Sequence, residues 1–123
     1  MTHTKTVVVL GASPKTDRIS HQAVTELSSH GYKVIPVHPV AKEINGLSVK
    51  ASLSDISEAV DTVTVYMNAQ RSSGVEQDLL DLKPRRVIFN PGAENPELAS
   101  TLEEQGIAVE EACTLILLRT DQF

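Results

Sequence analysis

Short runs of β-branched and other apolar residues recur along this 123-residue chain at strand length: TVVVL at 6–10, KVIPV at 33–37, TVTVYM at 62–67, RVIFN at 86–90 and IAVEE at 107–111. Their length and β-branching favour strands over helices. Between them lie segments whose apolar residues recur at helical spacing. Strands that alternate with helices join by right-handed crossovers, and the helices stack against a mostly parallel sheet. Aromatic residues make up only 3% of the chain and Trp is absent, so the core must be aliphatic, which suits a parallel sheet covered by helices. The pattern therefore predicts an α/β, doubly wound fold. Its sheet is mostly parallel, with five or six strands and helices on both faces, in one domain over 1–123.

The helical segments carry their own punctuation. In SHQAVTELSSHG, Ala23, Val24 and Leu27 share a face and Gly31 stands where a C-cap belongs. SDISEAVD (54–61) reads as a short helix opening on Ser54. SSGVEQDLLDLKP sets Val75, Leu79, Leu80 and Leu82 along one side, and Pro84 ends it. NPELASTLEEQG has Asn95 as N-cap, Pro96 at the first helical position and Glu97 in the first turn, with Leu98, Ala99 and Leu102 inward and Gly106 as terminator. AKEINGLSVKASL (41–53) reads as a loop or short edge strand near Leu47–Val49. The last segment, CTLILLRTDQF, is compatible with a sixth strand, a helical turn or a dimer contact.

The net charge of −5 argues against nucleic acid or an anionic membrane as partner, since both select basic surfaces. The single cysteine, Cys113, excludes an intramolecular disulfide. The residues before Gly11 hold too short an apolar stretch for a signal peptide or a membrane span, so the expected location is the cytoplasm.

In doubly wound folds, ligands bind beyond the carboxyl ends of the strands, where strand order reverses. Four loops should meet there: LGASPKTDRISH, VHPVAK, YMNAQRSSG and FNPGAEN. The first lacks the glycine–lysine pair of a phosphate loop. It also lacks the later glycines of a dinucleotide fingerprint, and the second strand ends VHP with no acid for ribose hydroxyls. NAD is disfavoured on both counts. What remains is a helix N-terminus with Ser13, Lys15, Arg18 and Ser20 beside it, a seat for an anion.

Taken in order, VVVLGASPKTDRISHQAVTELSSHGYKVIPVHP, IFNPGAENPELA and GIAVEEACTL resemble the small stand-alone CoA-binding domain proteins. These are Rossmann-like domains similar to the CoA-binding domain of the succinyl-CoA synthetase alpha subunit, and the resemblance covers about residues 5–118. It implies that Gly11, Ala12, Ser13 and Arg18 take the CoA phosphates. It implies further that His38, Pro39 and Lys42 face the adenosine and its 3′-phosphate. The loops at Asn68–Arg71 and at Asn90, Pro91 and Gly92 would line the pantetheine or nucleotide path. CoA carries about four negative charges, and Lys15, Arg18 and Lys42 supply local cations in an acidic chain.

The synthetase holds its phosphorylated histidine in a second domain that this chain lacks. Of the four histidines, His3 belongs to a frayed terminus, His21 and His30 to the surface or packing of the first helix, and His38 to a ligand edge. Cys113 reads as a small hydrophobe, with a mixed disulfide to the CoA thiol as the sharper alternative. No spacing of His, Cys, Asp and Glu points to a metal, and Glu94 reads as part of a turn. The chain thus supports two functional readings. One is a CoA or acyl-CoA binding module without its own chemistry: a carrier, sensor or regulator, as a homodimer or with a partner protein. The other is an enzyme or enzyme subunit acting on a nucleotide-linked substrate, NAD-type or acyl-CoA, with a partner supplying the catalytic group.

Overall fold

The computed structural model describes residues 5–123, so the expectation for His3 lies outside the described residues. In chain order the strands are β1 (Thr6–Leu10), β2 (Lys33–Val37), β3 (Glu43–Ile44), β4 (Leu47–Ser48), β5 (Thr62–Val65), β6 (Arg86–Phe89) and β7 (Ala108–Glu111). The helices are α1 (Ile19–Ser29), α2 (Ala69–Ser73), α3 (Glu76–Leu82), α4 (Pro96–Glu104) and α5 (Thr114–Arg119). Five strands form one sheet in the order β2-β1-β5-β6-β7, and every neighbouring pair is parallel. The chain leaves β1 for β2 on one flank and then crosses to β5 on the other. Strand order thus reverses between β1 and β5, the switch point of a doubly wound sheet.

The pleat explains why β1 is apolar throughout. Val8 and Leu10 point with Val63, Val65, Val87 and Phe89 toward Leu79 of α3 and Leu98 and Leu102 of α4. Val7 and Val9 point the other way, toward Val24 and Leu27 of α1 and Leu118 of α5. Helices therefore cover both faces, and the β1 valines are fully buried. Each such side chain contributes roughly 1.5–3 kcal/mol through burial.

α4 is built as its sequence predicts. The Asn95 Oδ1 accepts from Leu98 N at 3.1 Å, Pro96 opens the helix, and Gly106 leaves it at φ +83°. Residues 54–61 differ from the expected helix: Leu53–Asp55 form one 3₁₀ turn, and Ile56 leaves it extended, at φ −91° and ψ 120°. Ile56 and Val60 are both buried in the core, and that burial outweighs the weak preference of a segment too short to hold a helix alone. Ser54 caps nothing; its hydroxyl bonds that of Ser52 at 2.7 Å. Near 47–49 the chain forms a small antiparallel hairpin, β3 with β4, whose turn places Asn45 and Gly46 at φ +51° and +76°. The hairpin covers the β2 edge, where Lys50 bridges Val37. The C-terminal segment is helix α5 rather than a strand.

Candidate functional site

The turns after β1, β2 and β5 come together at the switch point. Gly11 follows β1 at φ +86°, and a Cβ there would stand 3.1 Å from both the carbonyl carbon and oxygen of Tyr66. Glycine is required because the turn and the end of β5 lie backbone to backbone. Ala12 N donates to the Val37 carbonyl at 3.2 Å, which ties the same turn to β2 on the other side.

Two clefts open on either side of this glycine. The first, about 540 Å³, is lined by Ser13, Lys15, Asp17, Arg18 and Ser20, with Tyr66 as its back wall. The second, about 400 Å³, is mainly apolar: Ala12, Val37, Leu53, Met67 and Val75 form it, with His38, Ser52 and Arg71 as its polar groups. Gly11 and Ser13 belong to both.

The first cleft gathers two cationic side chains and a helix N-terminus. Arg18 occupies the N-cap of α1 but makes no side-chain cap; His21 N bonds the Arg18 carbonyl at 3.1 Å, and among the described residues the first amides of the helix have no side-chain acceptor. Lys15 and Arg18 are exposed, and no ion pair among the described residues holds either. Two bonds shape the loop itself. Lys15 N donates to the Ser13 hydroxyl at 3.1 Å, and His21 Nδ1–H donates to the Ser13 carbonyl at 3.0 Å. His21 is therefore a half-buried tether of the loop, a part its place on a helix does not reveal. Behind the cleft, the Tyr66 hydroxyl is buried and has no hydrogen-bond partner among the described residues. Burial pushes its phenol up to about 12. The neighbouring Thr114 and Thr64 hydroxyls offset part of that effect, although they bond to each other, at 2.7 Å, rather than to the phenol.

The structure groups Gly11, Ala12, Ser13, Lys15, Arg18, Ser20, His38 and Pro39 around the two clefts. The other five sequence candidates are not among the residues lining these two clefts. Lys42 is exposed at the base of the hairpin, its carbonyl accepting from Val49 N at 3.0 Å. Asn68 caps α2 by accepting from Arg71 N at 2.9 Å. Asn90 is buried: its amide donates to Thr64 Oγ1 and the Val65 carbonyl at 2.6 and 2.9 Å, and its Oδ1 accepts from Thr114 N at 2.9 Å. Pro91 and Gly92 form an exposed turn on which Glu94 folds back, its Oε1 accepting from Gly92 N at 3.0 Å. Cys113 is half-buried at the start of α5.

Several lining residues carry no sequence signal of their own. Tyr66 and Met67 are legible only as the positions just after β5. Ser52 and Leu53 come from a segment whose course depends on tertiary burial. Arg71 differs from these: it ends the Asn68–Arg71 loop expected beside the ligand, and it does line the second cleft. It sits on α2, which is placed by Asn95, whose amide donates to the Ala69 carbonyl and to the Ser72 and Ser73 hydroxyls at 3.1, 2.9 and 3.0 Å. Among the described residues, no group of three His, Cys, Asp or Glu is arranged to hold a metal ion, and no helix is long and apolar enough to cross a membrane.

Comparison with known proteins places this geometry. The family described as CoA binding domain matches residues 5–119. The uncharacterized protein YneT of Bacillus subtilis is 30% identical over 105 residues, 85% of this chain and 78% of that protein. A crystal structure of an uncharacterized protein superposes with a TM-score of 0.87 at 40% identity, covering 98% of this chain and 99% of the other. A dinucleotide-forming acetyl-coenzyme A synthetase 1 from Ca. Korarchaeum cryptofilum, solved with phosphate and ADP, matches with a TM-score of 0.77 at 25% identity. That match covers 89% of this chain but 26% of the synthetase.

Proposed function

Because the chain belongs to the CoA binding domain family, we propose that its paired clefts hold coenzyme A or an acyl-CoA, and that the protein is a carrier, sensor or regulator without chemistry of its own. The observation that carries this reading is the shared wall at Gly11. It sets a cationic, amide-lined cleft directly beside an apolar one. A ligand with a polyphosphate joined to a flat base spans such a pair. Lys15, Arg18 and the first-turn amides of α1 meet the phosphates. The cleft under His38 and Pro39 takes the base. The reading is of a cytoplasmic protein that works as a homodimer or beside a partner protein.

Calorimetry and thermal unfolding with CoA, acetyl-CoA, NAD and ATP test it. At a concentration about 100 times Kd, a ligand adds roughly 2.7 kcal/mol to stability. CoA should give heat and stabilisation, and NAD neither. Stabilisation by NAD with none by CoA overturns the proposal.

The match to a quarter of an acetyl-coenzyme A synthetase favours a second reading, in which this domain is one subunit of an enzyme acting on acyl-CoA. Turnover of acetyl-CoA by the chain together with a co-purifying partner, and not by the chain alone, would establish it.

A further inference from the structure

His38 is a residue whose protonation pattern is fixed by its own loop. Its Nδ1 accepts from the backbone N–H groups of both Val40 and Ala41, at 3.0 and 2.8 Å. A backbone N–H can only donate, so Nδ1 carries no proton in this arrangement. The ring proton is then on Nε2. His38 lines the apolar cleft, and among the described residues its Nε2 has no hydrogen-bond partner. Placing a second proton on Nδ1 would break both loop bonds at once.

We infer that His38 is a specificity residue that presents a neutral Nε2–H donor to the cleft, and that the cleft selects the acceptor edge of an uncharged heteroaromatic base. The inference rests on the proposed coenzyme reading and sharpens it. A histidine beside a nucleotide invites the assignment of a cation for a phosphate. Here Nδ1 is already occupied by the two loop amides, so the nitrogen left to face a ligand is Nε2, a donor. The surroundings agree with a base rather than a phosphate. Ala12, Val37, Leu53 and Met67 offer apolar faces, and a charged group placed against them would lose its hydration with little return. A neutral ring nitrogen keeps one good hydrogen bond and buries its flat faces.

The test uses the full chain with CoA, ADP and the 1-, 3- and 7-deaza analogues of ADP, each of which replaces one ring nitrogen by carbon. One analogue should bind the native protein roughly three- to tenfold more weakly than ADP, the effect of one neutral hydrogen bond. His38→Asn keeps an oxygen where Nδ1 accepts the two amides, so the turn is preserved, but its donor is too short to reach the base. This variant should bind ADP and that analogue alike. His38→Gln, which restores a donor at longer reach, should recover part of the discrimination. Long-range proton–nitrogen NMR on the free native protein should show His38 protonated at Nε2 and bare at Nδ1.

Equal binding of ADP and all three analogues by the native protein, with CoA bound normally, overturns this proposal and leaves the coenzyme reading standing. So does undiminished discrimination in His38→Asn, or a proton found on Nδ1. Failure of both CoA and ADP to bind overturns the coenzyme reading and this inference with it.

Discussion

Replacing Gly11 by alanine tests the geometry on which the site depends. Two costs add. At φ +86° an L-residue is strained, by roughly 1–2 kcal/mol. The new Cβ also meets the Tyr66 carbonyl carbon and oxygen at 3.1 Å, inside the usual carbon contact of about 3.5–4.0 Å. Neither neighbour is a flexible side chain. Tyr66 N is bonded to the Leu10 carbonyl at 2.9 Å, so the end of β5 cannot retreat without parting from β1. Overpacking of this kind costs roughly 1–3 kcal/mol, which brings the expected loss to about 2–5 kcal/mol. Gly106 supplies the control. It stands at φ +83° with nothing within 4 Å of its would-be Cβ, at the far end of α4. Gly106→Ala should show the backbone cost alone, about 1–2 kcal/mol. Urea unfolding of both variants measures the difference. Calorimetry on the folded Gly11→Ala protein should show CoA affinity reduced at least about tenfold, because the turn forms a wall of both clefts. If the two variants lose the same stability to within about 0.5 kcal/mol, the backbone contact between the turn and β5 does not constrain the loop and the reasoning fails.

Arg18→Glu and Lys15→Glu, both on exposed loop residues, should leave the unfolding midpoint nearly unchanged and weaken CoA binding by about tenfold each at low salt; the loss should shrink as salt is added. Asn90→Ala should cost about 2–4 kcal/mol in urea unfolding, since it leaves Thr114 N without its buried acceptor and strips the Thr64 hydroxyl of one of its two bonds. The Arg85 guanidinium bonds the Asp61 carboxylate at 2.8 Å and holds its pKa below the ordinary carboxylate range, with Thr62 helping and burial opposing. A depressed carboxylate pKa stabilises the fold above the unfolded-state value, and the contribution fades as pH falls through the folded one. Arg85→Gln should therefore be less stable than the native chain at neutral pH by at most about 1 kcal/mol, given the exposure of the pair. That gap should close as the pH drops below about 4.

The strands β1, β2, β5 and β6 were legible because nearly all their residues are buried, whereas β7 is mostly exposed. A strand such as VVVL has no solvent face to dilute its pattern, so composition and length were enough. The same holds for α4, where Asn95 and Pro96 act locally. Reading failed where tertiary contacts decide. The segment 54–61 has helical spacing, but Ile56 and Val60 are drawn into the core and the helix stops after one turn. The β3–β4 hairpin did carry a local signal, Asn45-Gly46, whose two positive φ angles suit a tight hairpin turn. α2, five residues long, had none of comparable weight, because it is held partly by Asn95 from another helix.

The site divides along the same line. Once the chain is known to alternate strands and helices, the place where the loops converge is set by topology, and the candidates nearest β1 and β2 do meet there. What topology cannot decide is the direction of a side chain at the end of a strand. Asn68 and Asn90 look alike in the sequence, each closing a strand and opening a turn. One lies exposed and caps α2; the other is turned inward and binds Thr64, Val65 and Thr114. The course of the chain beyond each asparagine makes the difference. After Asn90 the chain turns at Pro91 and Gly92, and α5 arrives from β7 with an amide at Thr114 that has to be satisfied. That amide is 24 residues away, so the inward turn of Asn90 is a demand of the helix that follows the last strand. A strand-end polar residue should therefore be assigned to a ligand only after the buried backbone groups of neighbouring elements have been given their partners.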